Sequence, residues 1–231
     1  EDYLQMVSAE QKEYAEVSAH QRITENNDII TDFQTDNLME QILHKDNLNK
    51  AYKKVKSNKG AGGIDGMSVE ELLGYLRNNQ EQLIQKLKDG KYKPNPVRRV
   101  EIPKETKGEF RKLGVPTVVD RVFQQAITQV LSPIYEKQFS ENSFGFRPDR
   151  GAHDALKQCQ TNVNDGYVYV VDMDLEKFFD TVCQSKLIEV LSRTIKDGRV
   201  ISLIHKYLNA GVISRGMFEK TEVGMPQGGP L

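Results

Sequence analysis

The sequence predicts an α+β fold, and three features carry that prediction. Apolar residues recur at helical spacing in several segments, for example Val69–Lys88. Residues 92–115 contain two extended segments joined by a turn at Lys107–Gly108. The segment Tyr167–Val182 begins as an apolar, β-branched and aromatic run, which is typical of a buried central strand. Helices together with a ribbon and a separate strand place the chain in the α+β class.

The other helices follow from the same spacing and from local signals at their ends. Ser68 and Glu71 have the spacing of a capping box and predict the start of the second helix. Pro133 is expected to bend or divide a long helix that begins at Thr117. A hairpin is predicted from Val212–Ser214 and Glu219–Val223. The remaining predicted helices are Leu38–Lys56, Ala152–Val163, Ser185–Ile195 and Val200–Leu208.

Composition excludes several classes of protein. The sequence contains no long apolar run, so we expect neither a membrane span nor a signal peptide. The two cysteines, Cys159 and Cys183, stand apart and form no CxxC pair, which argues for a reducing, intracellular compartment and against a structural zinc. The four histidines show no metal-ligand spacing.

The formal net charge of −1 is unevenly distributed along the chain. Residues 1–36 carry nine acidic and two basic side chains, and we interpret them as an acidic N-terminal extension without chemistry of its own. The remainder is therefore basic, which is compatible with a polyanionic partner.

Basic residues concentrate in the predicted ribbon. Arginine suits phosphate because its guanidinium group is planar, so the ribbon is typical of a surface that binds nucleic acid or a triphosphate. Lysines that protect a solvated sheet edge are the alternative explanation. The glycine-rich loop before Val69 either connects two helices or brings Lys59 to a phosphate backbone. Arg147 and Arg150 either hold a phosphate or pair with a buried acid.

Two carboxylates follow the apolar run. Asp172 and Asp174 would share one face of a strand, because side chains alternate with a period of two. Acids at the end of a buried strand need a partner, and a divalent metal is a common one. The alternative is that one of them caps the following turn.

Five motifs, taken in order, resemble group II intron-encoded reverse transcriptases, also called maturases. They cover roughly residues 37–231 and read NKGAGGIDGMSVEEL, RRVEIPK…RKLGVPTVVDRVFQQAI, FSENSFGFRPDRGAHDAL, VVDMDLEKFFDTV and GMPQGGPL. The resemblance implies the right-hand reverse-transcriptase fold, with helical fingers that carry a β ribbon and an incomplete palm sheet. It divides the chain into the acidic extension (1–36), fingers (37–165) and partial palm with its helices (166–231).

The resemblance also assigns the acids. In this family, the metal-binding Asp lies five residues before an aromatic residue and six before a second Asp, which here are Asp174, Phe179 and Asp180. Asp174 would then be the catalytic ligand of two Mg²⁺ ions, with the carbonyl of Leu175 holding one of them. Phe179 would lie under the incoming sugar and exclude a 2′-hydroxyl. Asp172 would be a supporting residue and Asp180 a capping or structural acid.

Further roles follow from matching positions in the same motifs. Lys104 and Arg111 would clamp the incoming triphosphate, and Gln227 and Gly228 would line the nucleotide pocket. The remaining positions are candidate contacts to the template: Lys59, Arg98, Arg99 and Arg147. The implied partners are intron RNA, an RNA template, a DNA primer and deoxynucleotides, in an intracellular, bacterial-type cytoplasmic setting.

One family motif, an aromatic-x-Asp-Asp hairpin, does not occur in the sequence. We therefore expect this chain to be an N-terminal fragment of an RNA-directed DNA polymerase that is inactive by itself. An incomplete palm would leave a strand edge unpaired, which favours self-association. Two alternatives remain open: a non-catalytic RNA-binding maturase module, and a retron-like or CRISPR-associated reverse transcriptase.

Overall fold

A computed structural model describes residues 35–103, residue 108 and residues 110–231. Most of the predicted acidic extension lies outside these residues, as does Lys104. Residues 35–37 form a single 3₁₀ turn, Thr35–Asn37, directly before the first helix.

The described residues form eight α-helices and four strands, which confirms the α+β class. The helices are α1 (Leu38–Ile42), α2 (Lys45–Ser57), α3 (Leu72–Lys88), α4 (Val118–Glu136), α5 (Ala152–Asn164), α6 (Phe178–Thr181), α7 (Gln184–Thr194) and α8 (Gly198–Leu208). The strands are β1 (Val97–Pro103), β2 (Phe110–Val115), β3 (Val212–Ser214) and β4 (Met217–Glu219). None of these helices combines the length and the apolar character needed to cross a membrane.

The predicted first helix is wrong in one respect, because it is divided into α1 and α2. His44 has an extended backbone between them, and its ring accepts a hydrogen bond from the amide of Asp46. The capping box before α3 is confirmed: the Ser68 amide donates to the Glu71 carboxylate at 2.8 Å, and the Glu71 amide donates to Ser68 Oγ at 3.3 Å. Helix α4 passes through Pro133 without dividing.

Helix α4 forms the centre of the core. Its buried residues include Val118, Val122 and Ala126, which recur at every fourth position and so share one face. It packs against α1 and α2. The side-chain amide of Asn47 on α2 donates to the carbonyl of Ala126 at 3.0 Å, which adds a polar contact to this packing.

The four strands form one sheet in the order β2-β1-β3-β4. Strands β1 and β2 make the predicted antiparallel ribbon, with Ile102 opposite Arg111. Strand β3 joins the other edge of β1 in parallel, with Val97 beside Val212. The ribbon and the C-terminal hairpin therefore belong to one sheet, although their residues are far apart in the chain.

The hairpin itself differs from the prediction in its second strand. Strand β4 comprises Met217–Glu219 rather than Glu219–Val223. Arg215 and Gly216 form a two-residue turn, and both have positive φ, at 51° and 79°. Such a tight turn brings the chain back at once, so the return strand starts at Met217.

The prediction of a buried strand at the start of Tyr167–Val182 is wrong for this structure. Residues 167–171 have no regular secondary structure, and they pair with no strand among the described residues. Their side chains are exposed, reaching 93% for Tyr169. An apolar run becomes an inner strand only when neighbouring strands and a covering layer enclose it, and the described sheet ends at β2 and β4.

Candidate active site

One cleft of about 1170 Å³ brings together most of the predicted nucleotide-site residues. Three segments form most of its walls: the β1–β2 ribbon, residues 173–180, and residues 219–227. The cleft is lined by Arg99, Arg111, Asp174, Leu175, Phe179 and Gln227. Asp174 is thus not sealed away from Arg111 and Gln227, although they lie 63 and 53 residues from it in the chain.

The ribbon supplies the basic wall of the cleft. Arg111 and Lys112 are both exposed and both line it. Arg99 is closer to the hairpin, and its Nη1 pairs with Glu219 Oε2 at 2.9 Å. The ribbon therefore offers exposed positive charge at Arg111 and Lys112, whereas the charge on Arg99 is partly neutralised.

A buried carboxylate fixes the base of the ribbon to α4. Asp120 is only 1% exposed, and it accepts hydrogen bonds from Tyr92 Oη at 2.7 Å and from Thr117 Oγ1 at 2.7 Å. The amide and side-chain nitrogens of Asn95 also donate to it, at 3.1 and 3.2 Å. Burial, with the negative charge of Asp120 beside it, raises the pKa of Tyr92 well above its usual range, so this hydroxyl remains a donor. Four donors satisfy the acid in the interior, and they attach the residues before β1 to the start of α4.

The acidic wall contains Asp174 and the short helix α6. Asp174 and Leu175 lie in irregular chain and are exposed toward the cleft. The ring of Phe179 on α6 packs edge-on against Phe178 at 5.4 Å between centroids. Asp180 also lines the cleft, whereas Asp172 does not. The expected pairing of Asp172 and Asp174 on one strand face does not arise, because these residues form no strand.

The turn at residues 224–228 joins the acidic wall to the ribbon. The amide of Met225 donates to the carbonyl of Phe179 at 2.8 Å, and the amide of Gly114 on β2 donates to the carbonyl of Gln227 at 2.7 Å. The backbone on either side of Gln227 is therefore tied to both walls. This arrangement holds Gln227 between Phe179 and the ribbon.

Gly228 occupies a different place from the one predicted. It lines a separate small groove with Asn58 and Arg121, and it does not line the cleft. Its φ is +123°, and a Cβ at this position would lie 2.7 Å from the carbonyl oxygen of Gly114. The glycine is needed because the turn approaches the β2 backbone this closely.

The four predicted template contacts have different surroundings. Lys59 is exposed directly after α2. Arg98 is half-buried and donates from Nε and Nη2 to the carbonyl of Gly62 at 3.2 and 2.9 Å, so it attaches the glycine-rich loop to β1. Of the two arginines on β1, Arg99 is therefore the one directed to the cleft. We conclude that Lys59 and Arg99 remain accessible to a ligand and that Arg98 acts within the fold.

Arg147 is buried, and this corrects its prediction as a template contact. Only 8% of the residue is exposed, and its guanidinium group pairs with Glu136 Oε1 at 2.6 Å. It also donates to the carbonyls of Ser140 and Ser143, at 2.5 and 3.1 Å. Arg147 thus pairs with an acid, as in the alternative prediction, but the acid is only half-buried, with 30% of the Glu136 side chain exposed. The donors of Arg147 are already used inside the protein.

Sequence reasoning missed two side chains that shape the site. The Thr117–Asp120 spacing is that of a helix cap, which was a usable signal for Asp120. Gln184 at the start of α7 is buried and binds carbonyls of the chain up to 40 residues away. No local pattern could have indicated that contact.

Among the residues that the structure describes, no group of three or more His, Cys, Asp or Glu side chains is arranged to hold a metal ion.

Comparison with known proteins identifies the family. Residues 102–231 match the family model described as "Reverse transcriptase (RNA-dependent DNA polymerase)". The chain belongs to the reverse transcriptase family. The predicted resemblance is confirmed, and the α+β architecture around the cleft is that of a reverse transcriptase.

The named relatives of this reverse transcriptase include a group II intron-encoded protein. It is 36% identical over 211 residues to "Group II intron-encoded protein LtrA" of Lactococcus lactis subsp. cremoris, covering 91% of this chain and 35% of that one. It is also 36% identical over 200 residues to "Protein YkfC" of Escherichia coli (strain K12), covering 84% and 52%. The chain thus spans about a third to a half of the length of these two relatives.

A solved structure shares the fold. The "Partial Cas6-RT-Cas1--Cas2 complex" aligns with 84% of this chain and 32% of its own, with a TM-score of 0.55 and 22% sequence identity. At this identity the likeness shows a common fold and does not favour a CRISPR-associated role.

Proposed function

We propose that the complete protein is an RNA-directed DNA polymerase and maturase encoded by a group II intron, and that this chain contributes its nucleotide-binding cleft. One observation supports the proposal above all: Arg111, Asp174, Phe179 and Gln227 line the same cleft. Nucleotidyl transfer uses each of these groups in one place. Arg111 supplies a cation for the phosphates and Asp174 an acid for metal. Phe179 supplies a ring for the sugar, and Gln227 an amide for the nucleotide.

We propose that Asp174 and the backbone carbonyl of Leu175 hold divalent metal, with Mg²⁺ as the ion. The donor set fits, because Mg²⁺ prefers oxygen ligands and keeps several waters, and both groups lie at the exposed wall of the cleft. When bound, a pair of Mg²⁺ ions would stabilise the attacking and leaving oxygens of the phosphoryl transfer.

The other residues bind and orient the nucleotide. Arg111 offers a planar, permanently charged fork to the triphosphate, and Lys112 adds charge at the same wall. The ring of Phe179 is 43% exposed, so it can lie against the deoxyribose and leave no room for a 2′-hydroxyl. The carbonyl of Gln227 accepts a hydrogen bond from the amide of Gly114, which holds the backbone of Gln227 in place. Its side-chain amide can then hydrogen-bond to the nucleotide.

Mutation of neighbouring acids tests the metal assignment in the full-length protein. Asp174→Ala should reduce primer extension on an RNA template by a factor on the order of a thousand or more, because bound metal supplies several kcal/mol of transition-state stabilisation. Asp172→Ala is the matched control, since Asp172 is two residues away and does not line the cleft. It should retain most of the activity. RNA affinity should persist in both variants, and unchanged extension by Asp174→Ala would reject the assignment.

We propose intron RNA, an RNA template and a DNA primer as the nucleic-acid partners, with Lys59 at the binding surface. Each phosphate contact contributes about 0.7 to the slope of log affinity against log salt on single-stranded nucleic acid. Lys59→Ala should lower that slope by about this amount. A wild-type protein that binds RNA tightly but never extends a primer would favour the RNA-binding module instead. An intracellular location would follow from these partners.

A further inference from the structure

Gln184 is a buried side chain that no part of the proposed chemistry uses. It stands at the first residue of α7 and is 6% exposed. Its Nε2 donates to the carbonyl of Gly224 at 2.9 Å, and to those of Leu208 and Thr221 at 3.3 and 3.5 Å. The shortest of the three contacts is to Gly224, which opens the turn that carries Gln227.

Gly224 is also where the turn meets the wall that carries Phe179. The amide of Gly224 donates to the carbonyl of Val182 at 2.8 Å. Its φ is +76°, and a Cβ at this position would lie 2.6 Å from the carbonyl oxygen of Asp180. The next residue in the chain, Met225, donates to the carbonyl of Phe179. A shift of Gly224 would therefore move the turn relative to Phe179.

We propose that Gln184 is a positioning residue that sets the distance between Phe179 and Gln227, and through it the selection of the incoming nucleotide's sugar. Gln184 does not itself line the cleft, so it acts through Gly224. The inference rests on the nucleotide-binding function proposed for the cleft. Its basis is that the Nε2–Gly224 bond joins α7, which follows α6 in the chain, to the start of the turn that carries Gln227.

A purely structural role makes a different prediction. Gln184 also satisfies the carbonyl of Leu208 at the end of α8, so its loss could simply lower stability. Lower stability reduces the amount of active protein and hence the rate with every nucleotide to the same extent. A change in position alters the KM for the nucleotide and the ratio of deoxynucleotide to ribonucleotide use, and it leaves kcat of the folded protein nearly unchanged.

The experiment uses the full-length protein with an RNA template and a DNA primer. Gln184→Leu removes the amide, and Gln184→Glu keeps the shape but cannot donate while its carboxylate is ionised. Gln184→His keeps one N–H donor. Gln129→Leu is the matched control: Gln129 on α4 also donates to backbone, at 3.1 Å to the carbonyl of Asn47, but it does not line the cleft. The measurements are kcat and KM for one deoxynucleotide and its ribonucleotide, together with the melting temperature.

We expect Gln184→Leu and Gln184→Glu to raise the KM for the deoxynucleotide about tenfold, the factor that corresponds to one hydrogen bond on a buried carbonyl. The preference for deoxynucleotides over ribonucleotides should fall in parallel. Gln184→His should restore most of both values, and Gln129→Leu should change neither.

Three outcomes would overturn the inference. They are an unchanged KM and sugar preference, an equal loss of rate with both nucleotides, and the same change in Gln129→Leu. If Gln184→Leu and Gln184→Glu do not fold, Gln184→Asn supplies the test, because its amide is one methylene too short to reach Gly224 and buries no new charge. If the wild-type protein extends no primer, the proposed function of the cleft is rejected. That result differs from the three outcomes above, which concern only the role of Gln184.

Discussion

Removal of the Asp120 carboxylate should destabilise the protein strongly, because the acid satisfies several donors in the interior. In Asp120→Ala, the hydroxyls of Tyr92 and Thr117 lose their acceptor, and both residues are buried, at 5% and 0% exposure. Each unsatisfied buried donor costs about 1–3 kcal/mol. Asn95 is exposed and can turn to water. The expected loss in the free energy of unfolding is therefore about 4 kcal/mol, taking the middle of the range for two donors.

Asp120→Asn should cost much less, about 1–2 kcal/mol, since it keeps one acceptor oxygen and can donate to the hydroxyl of Tyr92. Urea denaturation followed by circular dichroism measures both variants, because the chain contains no tryptophan to serve as a fluorescent probe. Asp165→Ala at the end of α5 is the control, and as an exposed residue it should stay within about 0.5 kcal/mol of wild type.

The reasoning would be refuted if Asp120→Ala lost less than about 1 kcal/mol, or if the asparagine and alanine variants were equally unstable. Hydrogen exchange gives an independent check. Because Asp120 attaches the residues before β1 to α4, the amides of the ribbon should exchange faster in Asp120→Ala than in wild type.

Three further predictions concern Arg147, Asp197 and the exposed residues 167–171. Arg147→Ala should lower the melting temperature and leave RNA affinity within about twofold of wild type, because the guanidinium group of Arg147 pairs with Glu136 inside the protein. If RNA affinity falls and stability does not, Arg147 is a template contact after all. Burial opposes ionisation of Asp197, but hydrogen bonds from its arginine neighbour and from backbone amides outweigh burial and lower its pKa. A lowered carboxyl pKa contributes stability that is complete above about pH 4 and is lost as the pH falls through the folded-state value. Asp197→Asn should therefore reduce the loss of stability at acidic pH. An unchanged dependence of stability on acidic pH would contradict this. The 231-residue chain should self-associate through the exposed run Tyr167–Val171. Val170→Lys should shift it toward monomer in sedimentation velocity measurements, and identical profiles would exclude this surface.

Local signals in the sequence determined most of the secondary structure and the identity of the cleft residues. Periodicity and caps are properties of neighbours in the chain, so α3, α4, α5 and the ribbon could be predicted with small errors at their ends. The family resemblance of the motif around Asp174 and of the PQG turn implied a shared site, and Asp174, Phe179 and Gln227 line one cleft whereas Gly228 does not.

Only the tertiary structure decided how these residues are used. Arg98 and Arg147 look like phosphate ligands in the sequence, yet both donate to oxygens of the protein's own chain, because a guanidinium group binds whichever acceptor folding brings within reach. Residues 167–171 have the composition of an inner strand, yet they are exposed, because burial requires partners that a single segment does not contain. The contact between Gln184 and Gly224 spans 40 residues and likewise exists only in the folded chain.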